Sequence, residues 1–284
     1  MTSQPTHTSG TGGPATPAVR RPLFTAQLQA AADTLGVRLE WRSDSWIARL
    51  SAEGTTRYVI GYHFPVNNAA SAQLAGDKAA CSLLLAEAGV PAVAHRLLRF
   101  AQTEPDGFLL RALGDDRFPV VVKPNSECGG NGVVRAGGVG ELTAALSLLQ
   151  ERYRSVAVSP FEEIAEEYRV VMLDGSVRLV FRKVRDEAAA AGEWRHNLGL
   201  GAYPEIVDDP GETAPLVEMA GRAMSALDLR LAAVDVVSTP RGLRVLEVNS
   251  MITLERFSRF SPEYAERASA VYLECVRHSF TAAP

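Results

Sequence analysis

Two acidic residues and an amide stand at strand spacing in the last third of this 284-residue chain. They are Asp235 in LAAVDVVST, and Glu247 and Asn249 in LRVLEVN. Glu247 and Asn249 are two apart, so in an extended strand both side chains leave the same face. If Pro240-Arg241-Gly242 is a three-residue hairpin loop with Gly242 left-handed, Thr239 faces Leu243, Val237 faces Val245 and Asp235 faces Glu247. All three oxygen donors then share one face, whereas a four-residue loop sends Asp235 to the other. Two carboxylates and an amide oxygen, with no thiol or imidazole, suit a hard cation such as Mg²⁺, with Mn²⁺ as an alternative. Read alone, the same residues also fit the acidic edge of an ordinary sheet, although carboxylates in apolar strands are costly to bury unless paired or metal-bound.

A second group has the chemistry of phosphate binding. Lys123 ends the apolar run VVVKP and is followed by NSECGGNGVV. Gly129, Gly130 and Gly132 let backbone N–H groups approach and cradle an anion, and Ser126 opens the loop. Lys78 is a second cation for the same purpose, or a solvated surface charge. In SPFEEIAEEYRV, backbone groups around Glu162, Glu163 and Ile164 have the form of an adenine-reading connector, with Glu163 or Glu167 to accept ribose hydroxyls. A plain charged linker reads the same way. Arg182, Lys183, Arg195 and Asn197, beside Gly199 and Gly201, make a third patch whose guanidinium forks match phosphate oxygens. Cys128 sits in the glycine-rich loop, but no base is placed to activate it.

These groups need elements to hold them. Apolar periodicity predicts helices over Thr25–Leu35, Ser71–Ala88, Glu141–Arg152, Ala214–Leu227 and Pro262–His278, the first two stopping at Gly36 and Gly89. VRLEW, SWIARL and TRYVIGY alternate as strands. YRVVMLDG and SVRLVFRKVR form a hairpin on Asp174-Gly175, and LAAVDVVST and LRVLEVN form another. The mixture predicts an α+β fold with largely antiparallel sheets, not one doubly wound parallel sheet. We expect a disordered tail over 1–20, an N-terminal unit over 21–75, and two lobes over 76–160 and 161–284.

Bulk properties narrow the partners. A net charge of -4 and the lack of a dense Lys/Arg run argue against nucleic acid or an anionic membrane. The three cysteines, Cys81, Cys128 and Cys275, are far apart and read as reduced thiols of a cytoplasmic protein. No apolar stretch reaches the ~18 residues of a membrane helix, and the polar N-terminus lacks the form of a secretory signal.

Taken in order, QLAGDKAACSLLLAEAGVPAV, FPVVVKPNSECGGNGV, FEEIAEEYRVVML, EWRHNLGLGA and AAVDVVSTPRGLRVLEVNS resemble the ATP-grasp superfamily. The R-x-N-x-G segment and the E-x-N strand are most similar to its RimK-like, glutathione synthetase and cyanophycin synthetase group. The resemblance implies two α+β lobes clasping ATP, preceded by a short N-terminal α/β unit. It implies an ADP-forming ligase that joins a small-molecule or peptide carboxylate to an amine through an acyl phosphate. By position, Lys78 and Lys123 would bind nucleotide phosphates under the loop Ser126 to Gly132. Glu162 and Ile164 would make hinge contacts, Glu167 would take the ribose, and Arg195 would meet the transferred phosphoryl group with Asn197 close by. Asp235, Glu247 and Asn249 would hold two Mg²⁺ ions, and Arg182 is grouped with the catalytic set. A homo-oligomer is compatible with this reading. Two alternatives stay open: a non-catalytic ATP-binding protein, and a kinase or cyclase on the same fold. After E-x-N-S the chain departs from its relatives, with Met251-Ile252-Thr253-Leu254 where many have Pro-Gly. Substrate identity is therefore not inherited.

Overall fold

The computed structural model describes residues 22–102, 117–127, 129–185 and 193–281. The expected disordered tail and Cys128 lie outside the described residues.

Helix α1 (Leu23–Thr34) leads into a three-stranded antiparallel sheet of β1 (Arg38–Arg42), β2 (Ile47–Ala52) and β3 (Thr55–Ile60). Strand alternation buries Ala48, Leu50 and Val59 in one core with Phe24 and Leu28 of the helix. The helix expected over Ser71–Ala88 is in fact two, α2 (Ala69–Ala75) and α3 (Lys78–Glu87). Gly76 ends the first. Asp77 then caps the second, its carboxylate accepting the Ala80 N–H at 2.9 Å, which competes with continuing the helix. The break sets Lys78 at the first position of α3.

Strands β4 (Arg96–Arg99), β5 (Val120–Pro124), β6 (Val134–Ala136) and β7 (Ser155–Pro160) form an antiparallel sheet ordered β4-β7-β5-β6. Helix α4 (Val139–Gln150) packs Leu142, Leu146 and Leu149 onto Val120, Val122, Val156 and Val158.

The largest sheet contains β8 (Glu166–Leu173), β9 (Ser176–Val184), β10 (Tyr203–Ile206), β11 (Leu231–Thr239) and β12 (Gly242–Asn249), in the order β10-β9-β8-β11-β12. Its strands also pair antiparallel, so the α+β expectation holds. Asp174 and Gly175 form the expected two-residue turn, both with positive φ. Strand β10 was not anticipated. Helix α5 (Pro210–Ala226) starts before the expected Ala214, because Asp209 caps it by accepting the Glu212 N–H at 2.9 Å.

The two faces of this sheet differ. One has an apolar centre, where Tyr168, Val170, Val234, Val236 and Val248 meet Leu216, Ala220 and Ala223 of α5. The other is divided along its length. At one end Val171, Leu179, Phe181 and Leu231 pack on α1, α6 (Glu255–Ser258) and α7 (Pro262–Thr281). The N-terminal unit therefore shares its core with this sheet. The other end of that face carries the charged side chains described next. No helix among the described residues is long and apolar enough to cross a membrane.

Candidate active site

The β11–β12 hairpin meets the sequence expectation by a different route. Gly242 is left-handed at φ 92°, but the turn is two residues long in register, so Thr239 pairs with Gly242 and Val237 with Arg244. Continued without a break, that register would pair Glu247 with Val234 and send it to the α5 side. A register shift between Asp235 and Val236 leaves Leu246 unpaired and brings Asp235 opposite Glu247. The bulge re-aims Glu247, and Asn249 two residues on keeps the same face.

Asp235 is almost fully buried, 4% exposed, between two cations. Arg169 of β8 donates to both of its oxygens at 2.8 Å, and Lys183 of β9 lies 3.1 Å from Oδ2. Burial raises the Asp235 pKa, but Arg169 and Lys183 outweigh it and hold the carboxyl near 2. Lys183 also donates to Glu167, tying the expected ribose acceptor into the same group.

Arg182 is not part of it. It lies on the opposite face, paired with Glu166 and with Glu205 at 3.1 Å. The reason is a second irregularity: a shift between Val171 and Met172 moves the β8–β9 register by one, so Arg182 faces Tyr168 and Lys183 takes the cleft side. Arg169 is absent from the sequence reading, and Lys183 enters it only in the third basic patch, with Arg182 taken as the site residue. Alternation from Glu167 marks Arg169, but for Lys183 the sequence carries no bulge signal.

The four-stranded sheet supplies the facing wall. Lys78 donates to the Glu127 carbonyl of the glycine-rich loop and lies 3.4 Å from Glu247 Oε1. Asn125, 2% exposed, fixes this corner: its side chain accepts the Ala79 N–H at 3.1 Å and its carbonyl accepts the Lys78 N–H at 3.2 Å. Lys123 is buried beside them. Burial lowers its pKa against the opposing pull of Glu247, and Lys78 lowers it further. It makes no ion pair among the described residues, so an added anion would oppose that lowering.

The loop is docked on the segment that follows β9. Arg195 Nη1 donates to the Gly130 carbonyl at 3.1 Å, and Asn197 Nδ2 donates to the Gly129 carbonyl at 2.9 Å. Glu193 grips Arg195 through its backbone N–H, Nε and Nη2 at 2.7–2.9 Å. These bonds hold the Glu193 carboxyl near 2. His196 points the other way, Nδ1 lying 3.0 Å from the Lys183 carbonyl, which pins the segment to β9. Ser126 is exposed in the loop.

Between β7 and β8, Phe161 to Ala165 line a cavity of about 510 Å³ with Arg185, Trp194 and Ser238 to Pro240. Phe161 N–H bonds to Pro119 and Ala165 N–H to Ser238. Glu162, Glu163 and Ile164 between them make no backbone hydrogen bond among the described residues, so their peptide groups are available to a ligand. The Glu162 carboxylate is engaged by Arg241, and Glu163 is exposed.

No group of three or more His, Cys, Asp or Glu side chains suited to a metal occurs among the described residues. A cation here has at most two carboxylates and the Asn249 amide, which fits a hard ion that keeps positions for phosphate oxygens. The donor types suit Mg²⁺. Glu247 would share its carboxylate between Lys78 and the ion, whereas Asp235 would have to exchange Arg169 or Lys183 for it.

Residues 75–265, well over half of the chain, match the model of the RimK-like ATP-grasp domain. The chain belongs to the RimK-like ATP-grasp family. The ATP-grasp chain is 33% identical over 150 residues to a glutathione synthetase of Anaplasma centrale, covering 48% of this chain and 47% of that protein. A tetrahydromethanopterin:alpha-L-glutamate ligase of Methanocaldococcus jannaschii is 29% identical, covering 48% and 46%. The chain thus spans about half the length of these curated relatives. Among solved structures, the D-alanine–D-alanine ligase of Bacillus anthracis complexed with ATP superposes with a TM-score of 0.58 at 22% identity, covering 76% of this chain and 69% of that one. The VanG D-Ala:D-Ser ligase of Enterococcus faecalis gives 0.57 at 18% identity, covering 74% and 63%. At these identities the likeness is one of fold.

Proposed function

We propose that this ATP-grasp chain is a carboxylate–amine ligase that activates a small-molecule or peptide carboxylate as an acyl phosphate and releases ADP and phosphate. The observation that carries the reading is Lys78, which touches both the glycine-rich loop at Glu127 and the β12 carboxylate Glu247, with Lys123 buried beside it. Phosphate cradle and cation ligands are thereby one site.

Lys78 and Lys123 hold phosphate charge under the loop 126–132, which excludes water from the activated acid. The free peptide groups of Glu162 to Ile164 read the adenine edge, and Glu167 shares its carboxylate between Lys183 and the ribose. Arg195, fixed by Glu193, meets the transferred phosphoryl group with Asn197 beside it. Mg²⁺ at Glu247, Asn249 and Asp235 supplies charge neutralisation when bound. Arg182 has no part in this assignment. The lobes 76–160 and 161–284 would close on the nucleotide, with the N-terminal unit 21–75 beside them, in the cytoplasm.

Hydroxylamine in place of the amine tests the reading. With a suitable acid and Mg·ATP it should yield a hydroxamate and ADP. AMP with pyrophosphate would overturn it, and a phosphorylated product stable without any amine would indicate a kinase.

A further inference from the structure

Contacts along the segment after β9 alternate between two sets of partners. Arg195 and Asn197 reach the glycine-rich loop, at the Gly130 and Gly129 carbonyls. Trp194 and His196 do not touch it. The Trp194 ring lies edge-on to Phe161 with centroids 5.4 Å apart, and His196 Nδ1 meets the Lys183 carbonyl. The segment is thus a strip with two working sides.

Trp194 is a wall of the 510 Å³ cavity between β7 and β8. That volume is of the size that takes a small organic ligand. Phe161, against which the ring rests, is itself fixed. Arg135 of β6 stands over its ring, Cζ 4.3 Å from the centroid, and its N–H bonds to Pro119. Glu162 to Ile164 add the unbonded peptide groups described above, so the cavity offers an aromatic wall and a polar edge to a planar base.

The loop side of the strip follows the cavity side closely. Glu193 binds the Arg195 backbone N–H as well as its guanidinium. The guanidinium is therefore tied to the same stretch of backbone that carries Trp194. Docking of the loop is also close-fitting, since a Cβ on Gly130 would come within 2.5 Å of Asn197 Nδ2. A small rotation of the strip would break it.

Resting on the ligase reading, we propose that Trp194 is the positioning residue that ties docking of the glycine-rich loop to the nucleobase. A base seated against its ring fixes the strip in the orientation in which Arg195 and Asn197 hold the loop. Base binding and loop docking then strengthen each other by one and the same factor, although no side chain touches both.

Adenosine, which carries the base and no phosphate, tests the coupling. Its binding is measured by calorimetric titration, and loop docking by the rate of proteolysis within 126–132. Saturating adenosine should slow that cleavage about fivefold or more, the lower scale of coupling between sites. Trp194→Leu should abolish the protection at saturating adenosine, while Trp194→Phe, which keeps a ring, should retain part of it. Gly130→Ala puts its new Cβ against Asn197 and lines no part of the cavity. It should nonetheless weaken adenosine binding by the factor of protection seen in the parent, an effect that a merely structural Trp194 would not transmit. Adenosine that binds without protecting the loop overturns the proposal and leaves the ligase reading standing. So does protection that survives Trp194→Leu, a Gly130→Ala protein that binds adenosine like the parent, or binding of Mg·ATP without any binding of adenosine. If neither adenosine nor Mg·ATP binds, the ligase reading and this proposal fall together.

Discussion

Burial works against the charge of both Lys123 and Asp235, and the two respond differently. Asp235 keeps its charge because Arg169 and Lys183 surround it, whereas burial, and then Lys78, weaken the hold of Lys123 on its proton against the pull of Glu247. A lysine so placed gains most from a bound phosphate. Lys123→Ala should therefore raise KM for ATP by about tenfold or more with a smaller change in kcat, as expected for a ground-state contact. Arg195→Ala should act mainly on kcat, by about 10³-fold if its contact strengthens in the transition state. If Arg195→Ala changed only KM for ATP, the arginine would be a binding residue. His95 lies close by, and its ring is buried with Nε2 unpartnered. Burial, then Lys123 and Lys78, hold its pKa well below the ordinary 6.5. It stays neutral in the fold but protonates when unfolded, so its contribution to stability is present above pH 6.5 and lost below it. That loss is about 1.4 kcal/mol per pH unit. The stability advantage of wild type over His95→Gln, from urea unfolding, should shrink by about 1.4 kcal/mol between pH 7.5 and 5.5. An unchanged difference would mean that the imidazole titrates normally.

At the scale of elements, two one-residue register shifts decide which side chains face the cleft. The sequence shows that Glu247 and Asn249 share a face, that Asp174-Gly175 turns a hairpin, and that Lys123 ends a buried strand. Each is a local property of two to five residues. It does not show the unpaired Leu246, which restores Asp235 to Glu247, nor the shift near Met172, which exchanges Arg182 for Lys183. Bulges arise where packing on both faces of a sheet competes with the turn, and that competition is not local. The helix break at Gly76-Asp77 was more accessible, since Asp followed three residues later by a helical N–H is a cap signal. The glycine-rich loop tests the element most directly. Gly130 has φ 78°, and a Cβ there would come within 2.5 Å of Asn197 Nδ2. Gly130→Ala should undock the loop from Asn197 and Arg195, giving faster proteolysis within 126–132 and at least about a tenfold loss of turnover. The strain of about 1–3 kcal/mol falls in an exposed loop, so the melting temperature should move little. Unaltered cleavage would show that the loop does not rely on Asn197.

For the whole molecule, the order of five motifs made the two-lobed α+β architecture legible, because each motif marks one wall of the same cleft. How the N-terminal unit attaches was not legible. Phe24 of α1 packs edge-on against Tyr272 of α7 at 4.9 Å, and Tyr272 bonds to both Leu254 and Ile252, just after the β11–β12 hairpin. Such contacts between distant segments leave no periodic trace in sequence. They predict that the N-terminal unit unfolds together with the large sheet. Phe24→Ala should lower stability by about 3–5 kcal/mol in one transition seen equally by tryptophan fluorescence and circular dichroism. A separate early transition would instead make the unit an independent domain. The central claim is that the substrate's own carboxylate takes the phosphoryl group, since the described residues of the proposed cleft bring together cations suited to phosphate and include no nucleophile paired with a base. Its most direct test is an acid labelled with heavy oxygen in the carboxylate, turned over with Mg·ATP and an amine, with the released phosphate analysed by mass. One labelled oxygen in that phosphate is the predicted result, and unlabelled phosphate, or label in AMP, would contradict the account.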